Sequence, residues 1–304
     1  MPFADLDDGA IFYERRGTGP AVFLIPPVSR GPEGLDPFID LLAGDFEVIR
    51  HDQRGLGASP PAAGQRGPVP LAQRAAAAFD LLDHLGVDDV HVVGHSTGCG
   101  IALEMWRTAS ARINSLTLAA PWSHGDAQLV TMQNLRVAAA RALSPADYAT
   151  YNASLLFPPW YRQRFAAGFE ALAAAAVDHP QDAEVIANGL IPILNFDGRS
   201  IAETVTCPVL IIAAGDDQLM PPWHGRAYVD LINGSQNVVL DSGGHMVLET
   251  CRERVAALIL DFMSAAASEA VSEVAIPRPK SAASSRPGPG GYGFPTSRRV
   301  PWRE

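Results

Sequence analysis

Short apolar runs alternate with longer amphipathic segments along most of the chain. The runs with the length and aliphatic or β-branched composition of strands lie at residues 10–14, 21–25, 46–50, 89–93, 115–120, 209–214 and, more weakly, 237–240. Segments with apolar residues at helical spacing lie at residues 36–43, 71–85, 101–108 and 252–263. Because strands that alternate with helices form βαβ units, the pattern predicts an α/β protein with a mostly parallel, doubly wound sheet.

The alternation stops between residues 122 and 203, where the pattern is helical and rich in alanine and aromatic residues. This stretch is too long for a loop, so the sequence predicts a helical cap inserted between two strands of the core. The core then comprises residues 1–121 and 204–267. Residues 268–304 are rich in Pro, Gly and Ser and carry several basic side chains, which predicts a flexible basic tail.

Charge and composition narrow the function classes. The chain has 304 residues and a formal net charge of −10, so we expect it to repel nucleic acid and anionic membrane surfaces. It lacks both an apolar run of membrane-spanning length and the features of a secretory signal, which favours a cytoplasmic location. Three cysteines, Cys99, Cys207 and Cys251, are too few and too widely spaced to indicate a disulfide framework or a zinc site.

The stretch Gly94-His95-Ser96-Thr97-Gly98 has the GxSxG pattern of a nucleophile elbow. An apolar run of strand length precedes it and a helical segment follows it, which is the context that the motif requires. Glycines two residues either side of the serine permit a sharp turn, and the following helix offers its N-terminus to developing negative charge. The pattern therefore predicts Ser96 as a nucleophile.

A serine hydroxyl becomes a good nucleophile when a histidine accepts its proton and a carboxylate orients that histidine. His245 ends the glycine-containing loop that follows the run at 237–240, and Asp216 and Asp217 follow the run at 209–214. Active sites of open α/β sheets form at the carboxyl ends of the strands. We therefore predict His245 as the general base and one of the two aspartates as the orienting acid.

The oxyanion of the reaction needs two backbone N–H donors. One is expected from Thr97, the residue after the nucleophile, and the other from the loop after the apolar run at 21–25. Pro26 and Pro27 begin that loop and have no N–H to donate. Val28 is the first residue able to donate and is the predicted second donor, with Ser29 as the alternative.

Several residues are candidates for lining a substrate pocket. The aromatic and sulfur-containing side chains of the predicted cap could form an apolar lid or could equally be ordinary core, and the histidine next to the nucleophile could also line the pocket. The candidates are His95, Trp122, Met132, Phe157, Trp160 and Tyr161.

Together these motifs resemble those of the α/β-hydrolase superfamily over residues 10–264. The resemblance rests on the elbow, on the loop Asp217-Gln218-Leu219-Met220-Pro221, on the loop Ser242-Gly243-Gly244-His245 and on the chain order Ser, Asp, His. In that family the acid lies four residues before the loop proline. The resemblance therefore implies Asp217, rather than Asp216, as the acid.

Within the superfamily, the chain is similar to the capped group that contains 3-oxoadipate enol-lactone hydrolases and the aminoacrylate or carbamate hydrolases of pyrimidine degradation. Residues 51–57 and 155–160 carry this closer similarity. It implies a cofactor-independent hydrolase that cleaves a small ester, lactone or amide-like carbonyl through an acyl-enzyme on Ser96, with neither metal nor organic cofactor. A small molecule is the expected partner, and members of this group often form homodimers.

Two other functions are compatible with the same motifs. The scaffold and triad also support carbon–carbon bond hydrolysis and cofactor-free perhydrolysis. A ligand receptor that retains the fold without turnover is the non-enzymatic alternative, because a fold by itself does not establish an activity.

Overall fold

The computed structural model describes residues 3–29, 31–62, 64–65, 67–179 and 182–275, with side chains up to residue 266. Within these residues the strands form one eight-stranded sheet in the order β1-β2-β4-β3-β5-β6-β7-β8. The strands are β1 Phe3–Leu6, β2 Gly9–Arg16, β3 Ala21–Ile25, β4 Glu47–His51, β5 Val90–His95, β6 Ile113–Ala119, β7 Val209–Ala214 and β8 Gln236–Leu240.

The sheet is parallel from β4 to β8 and antiparallel at its N-terminal edge. β1 pairs with β2, and β2 with β4, in antiparallel register. The other neighbours pair in parallel. Each of the predicted runs becomes a strand, whereas β1 was not predicted. Of its four residues only Ala4 is buried, so this edge strand has no apolar run to reveal it.

Helices cover both faces of the sheet and also fill the interval between β6 and β7. They are α1 Asp36–Leu42, α2 Leu71–His84, α3 Thr97–Ala109, α4 Ala127–Ala142, α5 Pro145–Leu156, α6 Pro159–Arg164, α7 Ala166–Asp178, α8 Ala183–Asn195, α9 Arg199–Ala202, α10 Trp223–Val229, α11 Val247–Thr250 and α12 Arg252–Ala275. None of the helices among the described residues is both long enough and apolar enough to cross a membrane.

Alternate residues of each central strand pack on opposite faces of the sheet. In β3, Phe23 and Ile25 join the core beneath α2 and α3, whereas Val22 and Leu24 join the core beneath α1 and α12. Successive side chains of a strand point to opposite faces, so a strand that is covered on both sides is apolar throughout. This explains why the central strands are continuous apolar runs in the sequence.

The six helices α4–α9, here called the helical insert, lie between β6 and β7. A backbone bridge between His124 and Asp197 joins the two ends of the insert. Apolar residues of the insert, including Leu156 and Ile193, belong to the same core as α2 and α3. The insert is therefore packed on the sheet domain and positions its own side chains over the carboxyl ends of the strands.

The last helix is longer than the sequence analysis predicted. α12 extends to Ala275, past the boundary at residue 267 and into the first part of the predicted tail. The extension is rich in alanine and contains no glycine or proline before Pro277, so nothing in its composition stops the helix. The rest of the predicted tail, residues 276–304, lies outside the described residues.

Candidate active site

Ser96 stands at a sharp turn between β5 and α3. Its backbone has φ 54° and ψ −120°, a conformation that L-residues rarely adopt and that marks a strained turn at a functional position. The two flanking glycines are required by close backbone contacts. A Cβ on Gly94 would lie 2.5 Å from the carbonyl oxygen of Gly98, and a Cβ on Gly98 would lie 2.2 Å from that of Ile25.

Three residues from distant parts of the chain form a hydrogen-bonded line. The Nε2 atom of His245 lies 2.7 Å from Oγ of Ser96, and its Nδ1 atom lies 2.8 Å from Oδ2 of Asp217. A carboxylate can only accept, so Nδ1–H donates to Asp217 and Nε2 accepts from the serine hydroxyl. All three residues are buried. This arrangement can remove a proton from Ser96 and stabilise the imidazolium that results.

The structure separates the two adjacent aspartates. Asp217 faces the imidazole, and its other oxygen, Oδ1, accepts the backbone N–H groups of Leu219 and Met220, each at 2.9 Å. Asp216 faces the loop that carries His245. It accepts the hydroxyl of Ser242 at 2.6 Å and the N–H groups of Gly243 and Gly244 at 2.9 and 2.8 Å. One carboxylate thus contacts the histidine, and the other anchors its loop.

His95 lies behind the site and is absent from the lining of both chambers described below. It is completely buried, and its Nε2 atom lies 2.8 Å from the carbonyl oxygen of His245. Because a carbonyl only accepts, Nε2 carries the proton and donates. Burial, reinforced by the neighbouring His245, lowers the pKa of His95 to about 3. His95 is therefore a neutral residue that supports the backbone of the histidine loop.

The loop after β3 borders Ser96. Val28, Ser29, Ser96 and Thr97 line one small chamber of about 10 Å³. Thr97 is the first residue of α3, so its N–H lies at the positive end of a helix. Both candidates for the second donor reach the chamber, and the geometry leaves Val28 and Ser29 as alternatives.

A much larger chamber adjoins the small one. It has a volume of about 740 Å³ and lies between the loop after β3 and helices α4, α5 and α7 of the insert. Pro27, Val28, Ser29 and Leu156 border both chambers. The small chamber has room for about one water molecule. Most of the open volume next to Ser96 therefore lies in the large chamber.

Of the predicted pocket residues, Phe157 lines the large chamber. The prediction is corrected for Trp122, Met132, Trp160 and Tyr161, none of which borders either chamber. Trp122 and Tyr161 are core side chains, Met132 packs against that core, and Trp160 is 43% exposed. The two indole N–H groups form hydrogen bonds within the protein: Trp122 donates to the carbonyl of Ile193, and Trp160 donates to the hydroxyl of Ser242.

Two polar residues of the insert that the sequence analysis did not select reach the small chamber. Gln133 and Arg136, one turn apart on α4, line it together with Ser96 and His245. Both side chains are buried, at 0% and 7% exposure. The available signal was a polar pair three residues apart in a helical segment, a spacing that places both on one face. Many exposed polar pairs share that spacing, so the signal is weak.

A third unpredicted residue, Glu249 on α11, anchors the loop after β3. Its carboxylate accepts the N–H groups of Gly31 at 2.9 Å and Glu33 at 3.1 Å, and the hydroxyl of Tyr161 at 3.0 Å. Burial raises the pKa of this carboxyl group. Glu249 thereby connects the loop that bears Val28 to helix α6 of the insert.

No cluster of three or more His, Cys, Asp or Glu side chains among the described residues is placed to hold a metal ion. Cys99, three residues after Ser96, is completely buried. Its Sγ atom lies 3.2 Å from the carbonyl oxygens of both Gly94 and Ala119, so its single S–H donates to one of them at a time, and burial raises its pKa. Cys99 therefore packs the elbow helix against the sheet.

Comparison with known proteins gives consistent results. The model of the alpha/beta hydrolase fold family matches residues 30–250. A protein of Azorhizobium caulinodans, RutD, which its name describes as a carbamate hydrolase, is 30% identical over 245 residues, covering 81% of this chain and 91% of its own. The RutD protein of a Caulobacter species is 27% identical over 228 residues, covering 75% and 84%.

Among solved structures, the enol-lactonase of Burkholderia xenovorans superposes with a TM-score of 0.74 at 22% identity, covering 86% of this chain and all of that one. This likeness concerns the fold. The fold class predicted from the alternation of strands and helices, and the resemblance drawn from the three loops, are both confirmed.

Proposed function

Because the chain belongs to the α/β-hydrolase family, we propose that it is a serine hydrolase whose nucleophile, base and acid are Ser96, His245 and Asp217. The observation that carries the proposal is the continuous hydrogen-bonded line from Oγ of Ser96 through the imidazole to Oδ2 of Asp217. Such a line activates a hydroxyl that would otherwise be a poor nucleophile.

The reaction proceeds in two stages. Oγ of Ser96 attacks the substrate carbonyl carbon as its proton passes to Nε2 of His245, and the carbonyl oxygen becomes an oxyanion. The N–H groups of Thr97 and of Val28 or Ser29 stabilise that charge. The intermediate collapses to an acyl-enzyme when His245 protonates the leaving group. Water, deprotonated by His245, then attacks the acyl-enzyme and releases the acid, and Ser96 regains its proton.

We propose a small ester, lactone or amide-like carbonyl compound as substrate. The names of the relatives support this class, since one kind is described as a carbamate hydrolase and another as an enol-lactonase. The chambers support it too: the space beside Ser96 is narrow, and the adjoining chamber of about 740 Å³ takes the remainder of a small molecule. We propose the helical insert as a cap, because Arg136, Leu156 and Ile193 close the small chamber from above.

Labelling with a serine-directed fluorophosphonate, followed by peptide mapping, tests the proposal. We expect one adduct, on Ser96, and we expect the Ser96→Ala variant to lose the label and at least about 10³-fold in ester turnover while its melting temperature is retained. Ser29→Ala is the matched control, because this serine borders the same chamber, and it should still be labelled. Full turnover by Ser96→Ala would refute the proposal.

A further inference from the structure

Arg136 is a buried cation at the candidate active site. Its side chain is 7% exposed and forms no ion pair with a carboxylate among the described residues. By contrast, Arg50 and Arg252, which are more exposed, pair with Glu14 and Glu33 at 2.5 and 2.8 Å. A buried charge is costly unless a group of opposite charge compensates it. The missing partner of Arg136 is the observation to be explained.

Neutral groups hold the guanidinium in place. Its Nη1 atom donates to Oε1 of Gln133 at 2.9 Å, and its Nε atom donates to Oδ1 of Asn152 at 3.1 Å. Tyr148 also forms a hydrogen bond with it. These acceptors orient the side chain without neutralising it, and burial lowers its pKa.

Gln133 adds an unused donor at the same place. A guanidinium only donates, so the amide oxygen of Gln133 must face Arg136 and the amide nitrogen must point away from it. That nitrogen, Nε2, is buried and has no hydrogen-bond partner among the described residues. Native proteins rarely leave a buried donor unpaired, and an absent ligand is a recognised reason. Both side chains border the chamber that contains Ser96 and His245.

We propose that Arg136 and Gln133 bind a carboxylate of the substrate, so that this enzyme acts on carbonyl compounds that carry a separate carboxylate, such as half-esters of dicarboxylic acids. The proposal rests on the function proposed above for the reacting carbonyl. A guanidinium matches a carboxylate in charge and shape, and Nε2 of Gln133 supplies a further donor.

The position suits this role. Arg136 borders the small chamber, while two of its neutral partners, Tyr148 and Asn152, border the large one. The guanidinium therefore lies at the partition between the chambers. A bound carboxylate there would hold the rest of a small molecule within reach of Ser96.

Matched pairs of esters test the inference. Monoethyl malonate, succinate and glutarate are compared, by titration of released acid, with neutral ethyl esters in which an isopropyl group replaces the carboxylate. We expect the best half-ester to exceed its neutral counterpart in kcat/KM. The Arg136→Met variant should lose about 100-fold on that half-ester and change little on the neutral ester.

Two further variants are controls for misfolding and for non-specific effects of charge. Gln133→Glu keeps the shape of the side chain and supplies Arg136 with an internal carboxylate, so it should abolish the preference for half-esters while the protein stays folded. Arg141→Met removes an exposed arginine of the same helix, which pairs with Glu184, and should leave the preference unchanged. Equal losses on both esters in Arg136→Met and Gln133→Glu would mean that Arg136 only supports the packing of α4 on α5.

Calorimetric titration with succinate separates this inference from the proposed function. We expect the wild-type protein to bind the dianion and Arg136→Met to bind it at least about 10-fold more weakly. If succinate binds through Arg136 but no ester is cleaved, the proposed hydrolase function is refuted and the anion site is supported. If esters are cleaved with no preference for charge and succinate binding does not depend on Arg136, the anion site is refuted and the hydrolase stands.

Discussion

Close backbone contacts restrict which residues can occupy the turn around Ser96. Gly98 has no room for a side chain, because an added Cβ would lie 2.2 Å from the carbonyl oxygen of Ile25 on the neighbouring strand. Ser96 itself adopts a positive φ. A serine held in this conformation keeps its hydroxyl directed at His245, which is why the strain is tolerated here.

Gly98→Ala should therefore destabilise the protein. The backbone must shift to remove the contact, and we expect the free energy of unfolding to fall by about 1–3 kcal/mol. Gly189→Ala is the matched control, since Gly189 lies in α8 and an added Cβ there meets no atom within 4 Å. That change should be neutral or stabilising. Urea denaturation measures both variants, and equal stabilities would show that the close contact has no energetic weight.

The two neighbouring aspartates should respond differently to the same substitution. Asp217→Asn leaves the imidazole without the acceptor that sets its tautomer, so we expect kcat to fall by about 10³- to 10⁴-fold with little change in melting temperature. Asp216→Asn weakens the anchoring of the loop at residues 242–244 and should cost kcat only about 10-fold. Steady-state kinetics of both variants checks this, and a larger loss for Asp216→Asn would overturn the assignment of the acid.

At the scale of elements, the loop after β3 depends on helices that are distant in sequence. Glu249 of α11 receives two backbone N–H groups of this loop and the hydroxyl of Tyr161 from α6. A single carboxylate therefore connects the loop at the candidate oxyanion site, the insert and the C-terminal part of the domain. Its four lone-pair sites suit it to accept three donors at once.

Glu249→Gln should loosen this connection. The new amide presents an NH2 group to donors that previously met an oxygen, which leaves at least one buried donor unpaired. We expect a loss of about 1–3 kcal/mol in the free energy of unfolding and a lower kcat, because the loop carries Val28. Glu253→Gln is the control, since this neighbouring carboxylate is 73% exposed. Similar thermal melts for the two variants would contradict the anchoring role.

At the scale of the whole molecule, buried histidines couple stability to pH. Burial lowers the pKa of His51 to about 4 and that of His95 to about 3. The unfolded chain binds protons at these residues from about pH 6.5 downward, whereas the folded protein does not. The contribution of these two neutral histidines to the free energy of unfolding is therefore complete above about pH 6.5. It is lost as the pH falls from 6.5 towards their folded-state pKa values.

Urea denaturation at pH 7, 6, 5 and 4.5 should show this dependence. Between pH 6 and pH 4.5 each of the two histidines should lower the free energy of unfolding by roughly 1 kcal/mol per pH unit. His51→Asn should remove the contribution of His51 to this pH dependence of the free energy of unfolding. Substitution of the exposed His84 should leave the pH dependence unchanged. A slope that is the same in wild type and His51→Asn would contradict the contribution of His51.

Much of the fold was predictable because its signals are local. The central strands are continuous apolar runs since both faces of the sheet are covered, and GxSxG between a strand and a helix indicates an elbow wherever it occurs. The edge strand β1 and the end of α12 were missed for the opposite reason. A four-residue edge strand with one buried side chain leaves no apolar pattern, and the alanine-rich end of α12 contains no stop signal.

By itself the sequence determined the fold class and the nucleophile and base candidates, and its family resemblance favoured Asp217 over Asp216 as the acid. Only the tertiary structure decided that Asp217 faces His245, that Trp122 and Tyr161 are core side chains, and that Arg136 reaches the chamber of Ser96. The physical reason is the range of the interactions. Strand and turn preferences depend on near neighbours in the chain, whereas contacts such as that between residues 96 and 245 depend on how whole elements pack.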